Sequence, residues 1–263
     1  MPAIRLTEFR RDLGAALVHL DAPDRCARAL SALMARHGTP LYRSGQRVLP
    51  AYHLPPAALN LLWQSLRQAV ARHPKAALPL AQALWQDPHL EARHLAARLL
   101  GLAPPEEATQ AQFWAWLAEA QDPDLRQALL TQGTSRLVQE TPEAFFAQAA
   151  QRLSQPGPAR RLAFQALTAL VASPAFENGP ALYGALRQAL LHLTSEERPE
   201  AAQLLQTLAQ RWPQETSPFL WRVWNEGADG ERAPLLAWVI RRVLPHLPPE
   251  SRRQWQQRPG WTF

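Results

Sequence analysis

Arginine supplies most of the charged chemistry in this sequence. Lys and Arg together number 28 against 22 acidic residues, and Lys75 is the only lysine. A guanidinium is a planar, permanently charged donor that suits phosphate oxygens, and a sequence pI near 10.5 favours polyanionic partners. The arginines therefore predict contacts with a nucleic-acid backbone, and the candidates are Arg126, Arg160, Arg161, Arg241 and Arg242.

The abundance of arginine also has two causes that need no nucleic acid, and both stay open. A GC-rich genome replaces lysine by arginine without any functional demand, and thermophilic proteins can show the same bias. The arginine pairs can also be solvated residues that pair with glutamates on neighbouring helical turns. Local helix stability does not explain Arg160 and Arg161. They lie at the predicted start of a helix, where positive charge interacts unfavourably with the helix dipole.

Common catalytic and metal-binding patterns are absent from the sequence. His89 and His94 are five residues apart and do not share a helix face as an i, i+4 pair of metal ligands would. Cys26 is the only cysteine, which excludes a disulfide within the chain and a cysteine-based zinc site. No phosphate-binding glycine loop, dinucleotide fingerprint or nucleophile elbow occurs. We therefore expect neither a metal nor a cofactor.

The ten tryptophans divide into core and surface candidates. Trp63 sits among apolar neighbours and is interpreted as inter-helix packing. Trp114 and Trp116 are two residues apart and point in different directions on a helix. One of them is expected at the surface, against a nucleotide or a protein partner. Trp255 and Trp261 are expected to fold back over the last apolar face.

Apolar residues recur with spacings of three and one, which places them on one face of an α-helix. Copies of this stripe begin at Ala92, Leu125, Ala163, Ala201 and Leu236, roughly every 35 residues, which is the period of a two-helix repeat. A capping residue before proline, as in Asp87-Pro88, Asp122-Pro123, Thr141-Pro142 and Ser217-Pro218, predicts helix starts, and Thr194 with Glu197 has the spacing of a capping box.

The predicted fold is therefore all-α, an α-α superhelix of the HEAT-like repeat kind. It occupies residues 1–263 as one domain, with N-terminal capping helices at 1–50, helical hairpins at 51–245 and a C-terminal tail at 246–263. No apolar run reaches the length of a membrane span, and the first residues lack the pattern of a signal peptide. A cytoplasmic location without membrane contact is expected.

From Leu41 to about Val171 the order of features resembles the DNA alkylation repair family of HEAT-like glycosylases. Residues 83–93, ALWQDPHLEAR, and 94–100, HLAARLL, look like the family's leucine-tryptophan, turn, glutamate and alanine-rich helix segment. Residues 159–164, ARRLAF, are similar to its arginine-led helix that faces DNA. The resemblance implies a short superhelix that holds damaged duplex DNA in a concave basic cleft. Whether damaged or branched DNA is the preferred partner stays open.

The sequence departs from this family at the catalytic positions. The place of the family's catalytic aspartate falls on Leu125 or Arg126. Asp124 is the one candidate acid, and a helix-capping role is its alternative interpretation. We therefore predict a DNA-binding protein with weak or no alkylpurine glycosylase activity. Two alternatives stay open: a non-enzymatic scaffold for protein partners, and an active glycosylase in which Asp124 faces the cleft near an exposed tryptophan.

Overall fold

The computed structural model describes residues 6–39, 49–228, 230 and 232–257. These residues form α-helices joined by turns and contain no β-strand, which confirms the all-α prediction. Packing divides the chain into two compact units, Met1–Leu137 and Val138–Phe263. In the described ranges, no helix combines the length and the apolar character that crossing a bilayer requires.

Helices of the first unit pack alternately along the chain. The helix α1 packs against α3, α2 against α4, and α5 against α7. This is the contact pattern of stacked hairpins. The helices are α1 (Leu6–Leu17), α2 (Pro23–His37), α3 (Pro56–Arg72), α4 (Ala77–Trp85), α5 (Leu90–Leu100), α6 (Glu107–Glu119), α7 (Pro123–Ala128) and α8 (Ser135–Glu140), the last of which contains the boundary between the units.

The second unit has two sets of neighbouring helices. The helix α11 packs against both α9 and α13, and α12 packs against both α10 and α14. The helices are α9 (Pro142–Leu153), α10 (Pro158–Ala172), α11 (Gly179–Leu191), α12 (Arg198–Arg211), α13 (Pro213–Gly227), α14 (Arg232–Val243) and α15 (Pro249–Gln256).

The apolar stripes of the sequence form the cores of both units. Every residue of the stripes that begin at Ala92, Ala163, Ala201 and Leu236 is buried, as are Leu125, Ala128 and Leu129. Trp255 is fully buried and stacks on Trp221 at 4.3 Å between ring centroids, as expected for a tail that folds back. Trp261 lies outside the described residues.

The proline signals are confirmed in part. Asp122 caps α7, since its Oδ1 accepts the backbone N–H groups of Asp124 and Leu125. The helix start predicted at Ser217-Pro218 is wrong: α13 begins at Pro213, and Pro218 lies inside it. Glu197 accepts from the N–H of Thr194 at 3.0 Å, but α12 begins only after this turn, at Arg198.

A π-helical turn, Leu129–Gly133, connects α7 to α8. It approaches the end of α5 so closely that a Cβ on Gly101 would lie 1.8 Å from the backbone oxygen of Gln132. Gly101 has an ordinary helical conformation, with φ of −69°. Space, and not backbone conformation, therefore requires glycine at this position.

Gly101→Ala should destabilise the chain by about 2–3 kcal/mol, because the added methyl forces backbone apart. Gly14 offers the matched control within α1, since a Cβ there would meet no atom within 4 Å. Gly14→Ala should therefore stabilise by about 0.5–1 kcal/mol. Urea denaturation of both variants measures the two changes, and similar stabilities for Gly101→Ala and the wild type would contradict the close approach.

Candidate functional site

A pocket of about 400 Å³ in the first unit is lined by α3, α5 and the start of α7. Leucines and a proline form its walls. Its volume falls within the range of about 300–1,000 Å³ that small-ligand sites occupy. The side chains that give it polar character are His53, Asn60, Glu91, His94, Arg98 and Asp124.

Glu91 holds the loop before α3 against α5. Its two carboxylate oxygens accept the backbone N–H groups of Tyr52 at 2.9 Å and His53 at 2.7 Å. The backbone N–H of Leu90 donates to the carbonyl of Pro50 in the same loop. His53 has a φ of 60°, a conformation that costs free energy for a residue with a side chain and persists only where neighbours enforce it. Glu91 therefore fixes the position of His53 at the pocket.

Two imidazole nitrogens in this lining are buried without a hydrogen-bond partner among the described residues. They are Nδ1 of His53 and Nε2 of His94. Burial lowers the pKa of His94 below its ordinary value of 6.5, and the charge of Arg98 lowers it further, against the opposing carboxylates of Asp122, Asp124 and Glu91. His94 is therefore neutral at pH 7, and its Nε2 is a potential donor or acceptor that no described group satisfies.

Arg98 is fixed in orientation without a carboxylate partner among the described residues. Its Nε donates to Oε1 of Gln132 at 2.7 Å, and its guanidinium lies over the ring of Trp63 at 5.3 Å from the centroid. Gln132 belongs to the π-helical turn, a feature that often occurs at functional sites. The remaining guanidinium donors of Arg98 are thus oriented and available to an anion.

Asp124 is exposed and lines the same pocket. The alternative prediction, that Asp124 caps a helix, is wrong. Asp122, which is 5% exposed, makes the capping hydrogen bonds of α7. The Asp124 side chain is therefore left at the pocket, where its carboxylate raises the pKa of His94. Arg126 serves the local fold: its Nη2 donates to the carbonyl of Ala120 and holds the turn before α7.

The tryptophan prediction is wrong for α6. Trp114 and Trp116 are 4% and 3% exposed, so neither lies at the surface. Trp116 stacks on Trp85 of α4 at 4.3 Å between ring centroids. The physical reason is that α6 is covered on more than one side, as the burial of the adjacent Phe113 and Leu117 shows.

Arg160 is an internal residue of the second unit and is withdrawn from the predicted nucleic-acid contacts. Its side chain is 5% exposed. The guanidinium donates to the carbonyls of Leu153 and His192 and lies 3.4 Å from the fully buried carboxylate of Glu197. Glu197 also accepts the backbone N–H of Gly157 at 2.8 Å. The unfavourable dipole position of Arg160 is thus compensated by a partner 37 residues away.

The remaining predicted arginines of the second unit lie at its surface. Arg161 donates through Nε and Nη2 to Oε1 of Glu200 at 3.0 and 2.8 Å, so its charge is largely neutralised. Arg241 and Arg242 are exposed on α14. Their neighbourhood adds two residues that the sequence interpretation missed, Arg198 and Trp238.

Arg198 and Arg242 share one tryptophan ring. Their guanidinium carbons lie 4.6 and 4.1 Å from the ring centroid of Trp238, which is half-buried. Neither guanidinium forms an ion pair with a carboxylate of the described residues. The second unit therefore repeats the arrangement of Arg98 and Trp63: an unneutralised guanidinium oriented by an indole.

The sequence did contain a signal for the pocket. His94 and Arg98 are four residues apart on α5, and Glu91 precedes His94 by three. This spacing puts three polar residues on one face of α5. Within the described part of the chain, no group of three or more His, Cys, Asp or Glu residues could hold a metal ion.

Comparisons of the chain with family models, curated proteins and solved structures found no match in any of the three.

Arg160→Met should cost about 3–5 kcal/mol of stability, because it leaves the buried Glu197 carboxylate without its cation. The adjacent Arg161→Met is the matched control and should cost about 1 kcal/mol or less, because its ion pair is partly solvated. Urea denaturation distinguishes them. Equal losses in the two variants would show that Arg160 is not the internal anchor described above.

His94→Gln should change how stability depends on pH. Because the folded pKa of His94 lies below its unfolded value, the unfolded chain takes up the proton first as the pH falls below 6.5, and unfolding becomes easier. The Tm of the wild type should therefore fall more steeply between pH 7 and pH 5 than that of the variant. Above pH 8, where the imidazole is neutral in the folded and the unfolded chain, the difference in Tm between wild type and variant should not change with pH. Parallel profiles over the whole range would contradict the burial of His94.

Proposed function

We propose that this chain is a DNA-binding helical-repeat protein that contacts the phosphate backbone through arginines oriented on tryptophan rings. The observation that carries the proposal is Arg98, which is held by Gln132 and Trp63 at a pocket and is not neutralised by a described carboxylate. A guanidinium with fixed orientation and free donors is suited to the two-pronged recognition of phosphate oxygens.

The second unit supports the same proposal independently. Arg198 and Arg242 lie on Trp238 without an ion pair to a described carboxylate. Holding two guanidinium groups near one ring places like charges together, an arrangement that a bound polyanion stabilises. The formal net charge of +6 favours the same class of partner. Backbone contacts of this kind position a duplex without reading its sequence.

The proposal extends to the finer features of fold and family. The alternating helix contacts within each unit support a HEAT-like α-α superhelix, and the segment at 83–100 supports kinship with the DNA alkylation repair family. We place the protein in the cytoplasm, with duplex DNA, damaged or branched forms included, as its partner.

Binding without efficient catalysis fits the position of Asp124. A glycosylase carboxylate that stabilises a developing cation works best when it is withdrawn from water, whereas Asp124 is exposed at the edge of the pocket. We therefore propose weak or no glycosylase activity.

A protein-interaction scaffold is the second candidate, and one observation favours it. A groove of about 730 Å³ between α1 and α3 is partly apolar. Val18 on its edge is 75% exposed and extends the apolar surface of the groove, and contiguous apolar surface, unlike single apolar residues, marks contact sites. This candidate gains support if DNA fails to bind.

Arg98→Gln should weaken the binding of a fluorescently labelled duplex about tenfold, the loss expected for one charged phosphate contact. It should also lower the slope of log Kd against log salt by about one. Arg25→Gln is the matched control: it removes the same charge from an exposed position on α2 and should have little effect. Fluorescence anisotropy across a salt series measures both quantities.

The second unit provides a parallel pair. Arg242→Gln should weaken duplex binding by a similar factor, whereas Arg222→Gln, at an exposed position on α13, should not. Wild-type protein that does not bind duplex or branched DNA at low salt would overturn the proposed function. Equal effects of all four variants would show general electrostatic attraction and contradict the assigned contacts.

A further inference from the structure

We propose that the pocket between α3, α5 and α7 binds a single unstacked nucleotide, with the base among its leucines and unpartnered imidazoles and the phosphate on Arg98. This inference rests on the proposed function, which it deepens by assigning a ligand to the pocket itself. The ligand is either an unpaired nucleotide of a DNA strand or a free nucleoside monophosphate, which share the same chemistry.

The polar lining suits a neutral heterocycle better than a bare anion. Among the described residues that line the pocket, Arg98 is the only arginine or lysine. The carboxylates of Glu91 and Asp124 line the same pocket. An inorganic anion deep in the pocket would meet these two negative charges with one positive charge to offset them. A neutral ring with donors and acceptors on its edge meets no such repulsion.

The unpartnered nitrogens match the edge of a base. Nδ1 of His53 and Nε2 of His94 belong to residues that line the pocket and are buried without a described hydrogen-bond partner. A base that bonds them as the rings turn towards the pocket recovers the free energy that unsatisfied polar atoms cost. The amide of Asn60 adds one acceptor and two donors at the same pocket. Donors and acceptors together are what a base edge requires.

The walls and the entrance fit the rest of a nucleotide. Leu54, Leu59 and Leu95 line the pocket, and apolar side chains of this kind enclose the faces of an unstacked base. Arg98 lines the same pocket on its tryptophan platform, where a phosphate attached to the sugar can be bound. The base would thus be enclosed by apolar side chains, and the phosphate would be bound by the neighbouring guanidinium.

Glu91 does not compete with the base for these groups. Both of its oxygens already accept backbone N–H groups of the loop at 52–53. Asp124, in contrast, makes no described side-chain hydrogen bond and is free to accept a proton donor such as an exocyclic amino group. The pocket therefore offers its ligand two nitrogens, an amide and one carboxylate.

Filling the pocket tests this inference while Arg98 stays in place. Leu59→Trp adds bulk to the wall, and Leu61→Trp is the matched control, because Leu61 is half-buried on the same helix but does not line the pocket. Circular dichroism establishes that each variant is folded. If Leu59→Trp does not fold, Asn60→Leu, at an exposed position on α3, takes its place: it removes the amide from the pocket and should reduce the same binding advantage.

Calorimetric titrations should use AMP, CMP, inorganic phosphate, a perfect duplex and the same duplex with one unpaired nucleotide. We expect the duplex with the unpaired nucleotide to bind at least tenfold more tightly than the perfect duplex. Leu59→Trp should abolish this advantage, and Leu61→Trp should preserve it. Perfect-duplex binding should be unaffected by Leu61→Trp and weakened by Arg98→Gln.

The remaining outcomes separate the two proposals. If AMP or CMP binds in a Leu59→Trp-sensitive manner and DNA does not bind, the pocket assignment stands with a free nucleotide as ligand, and the proposed DNA function fails. If perfect duplex binds with salt dependence but the unpaired nucleotide and the mononucleotides gain nothing from the pocket, the inference is overturned and the DNA function stands. Binding of inorganic phosphate as tight as that of AMP would also overturn it.

Discussion

The candidate site depends on the carboxylate of Glu91, which is 8% exposed and has no cation as its described partner. Two backbone N–H groups take the place of a cation, and such bonds are strong because the acceptor is charged. They tie the loop before α3 to the first turn of α5 and hold His53 in a conformation that it would not otherwise adopt. Without this carboxylate, the loop that leads into α3 would lose its side-chain attachment to α5.

The second unit uses a buried glutamate in a related way. Glu197 accepts from the backbone N–H groups of Gly157 and Thr194, and it also pairs with Arg160. In both units, therefore, a buried acid anchors an irregular segment beside a helix start. Burying a carboxylate is tolerated only when its lone pairs are satisfied, and the loops supply donors that the helices cannot. This explains why acids that the sequence alone would allow in a functional site hold loops in place instead.

The helices could be predicted because their signal is periodic and redundant. Each apolar stripe contains several residues, so the burial predicted from Ala163 or Leu236 onward does not depend on any one of them. Helix starts depend on a single local interaction and are less secure. Ser217-Pro218 has the composition of a start, yet Pro213 lies upstream and begins α13. The π-helical turn after α7 has no comparable local signature, although it positions Gln132 against Arg98.

The site was less predictable because the role of an arginine is set by partners distant in sequence. Arg160 is bound to Glu197, and Arg211 donates to the carbonyls at the end of α10 and beyond, including those of Val171 and Phe176. Such arginines satisfy carbonyls at and beyond helix ends, and the donors used in this way are not available to a phosphate. The pI therefore overstates the charge that a ligand meets. Arg211 also lies over an indole, that of Trp212, but main-chain carbonyls occupy its donors. What distinguishes Arg98 and Arg242 is an indole beside the guanidinium, together with donors that neither a described carboxylate nor a set of main-chain carbonyls occupies. That combination requires neighbouring helices to be in contact, and so it becomes visible only in the folded chain.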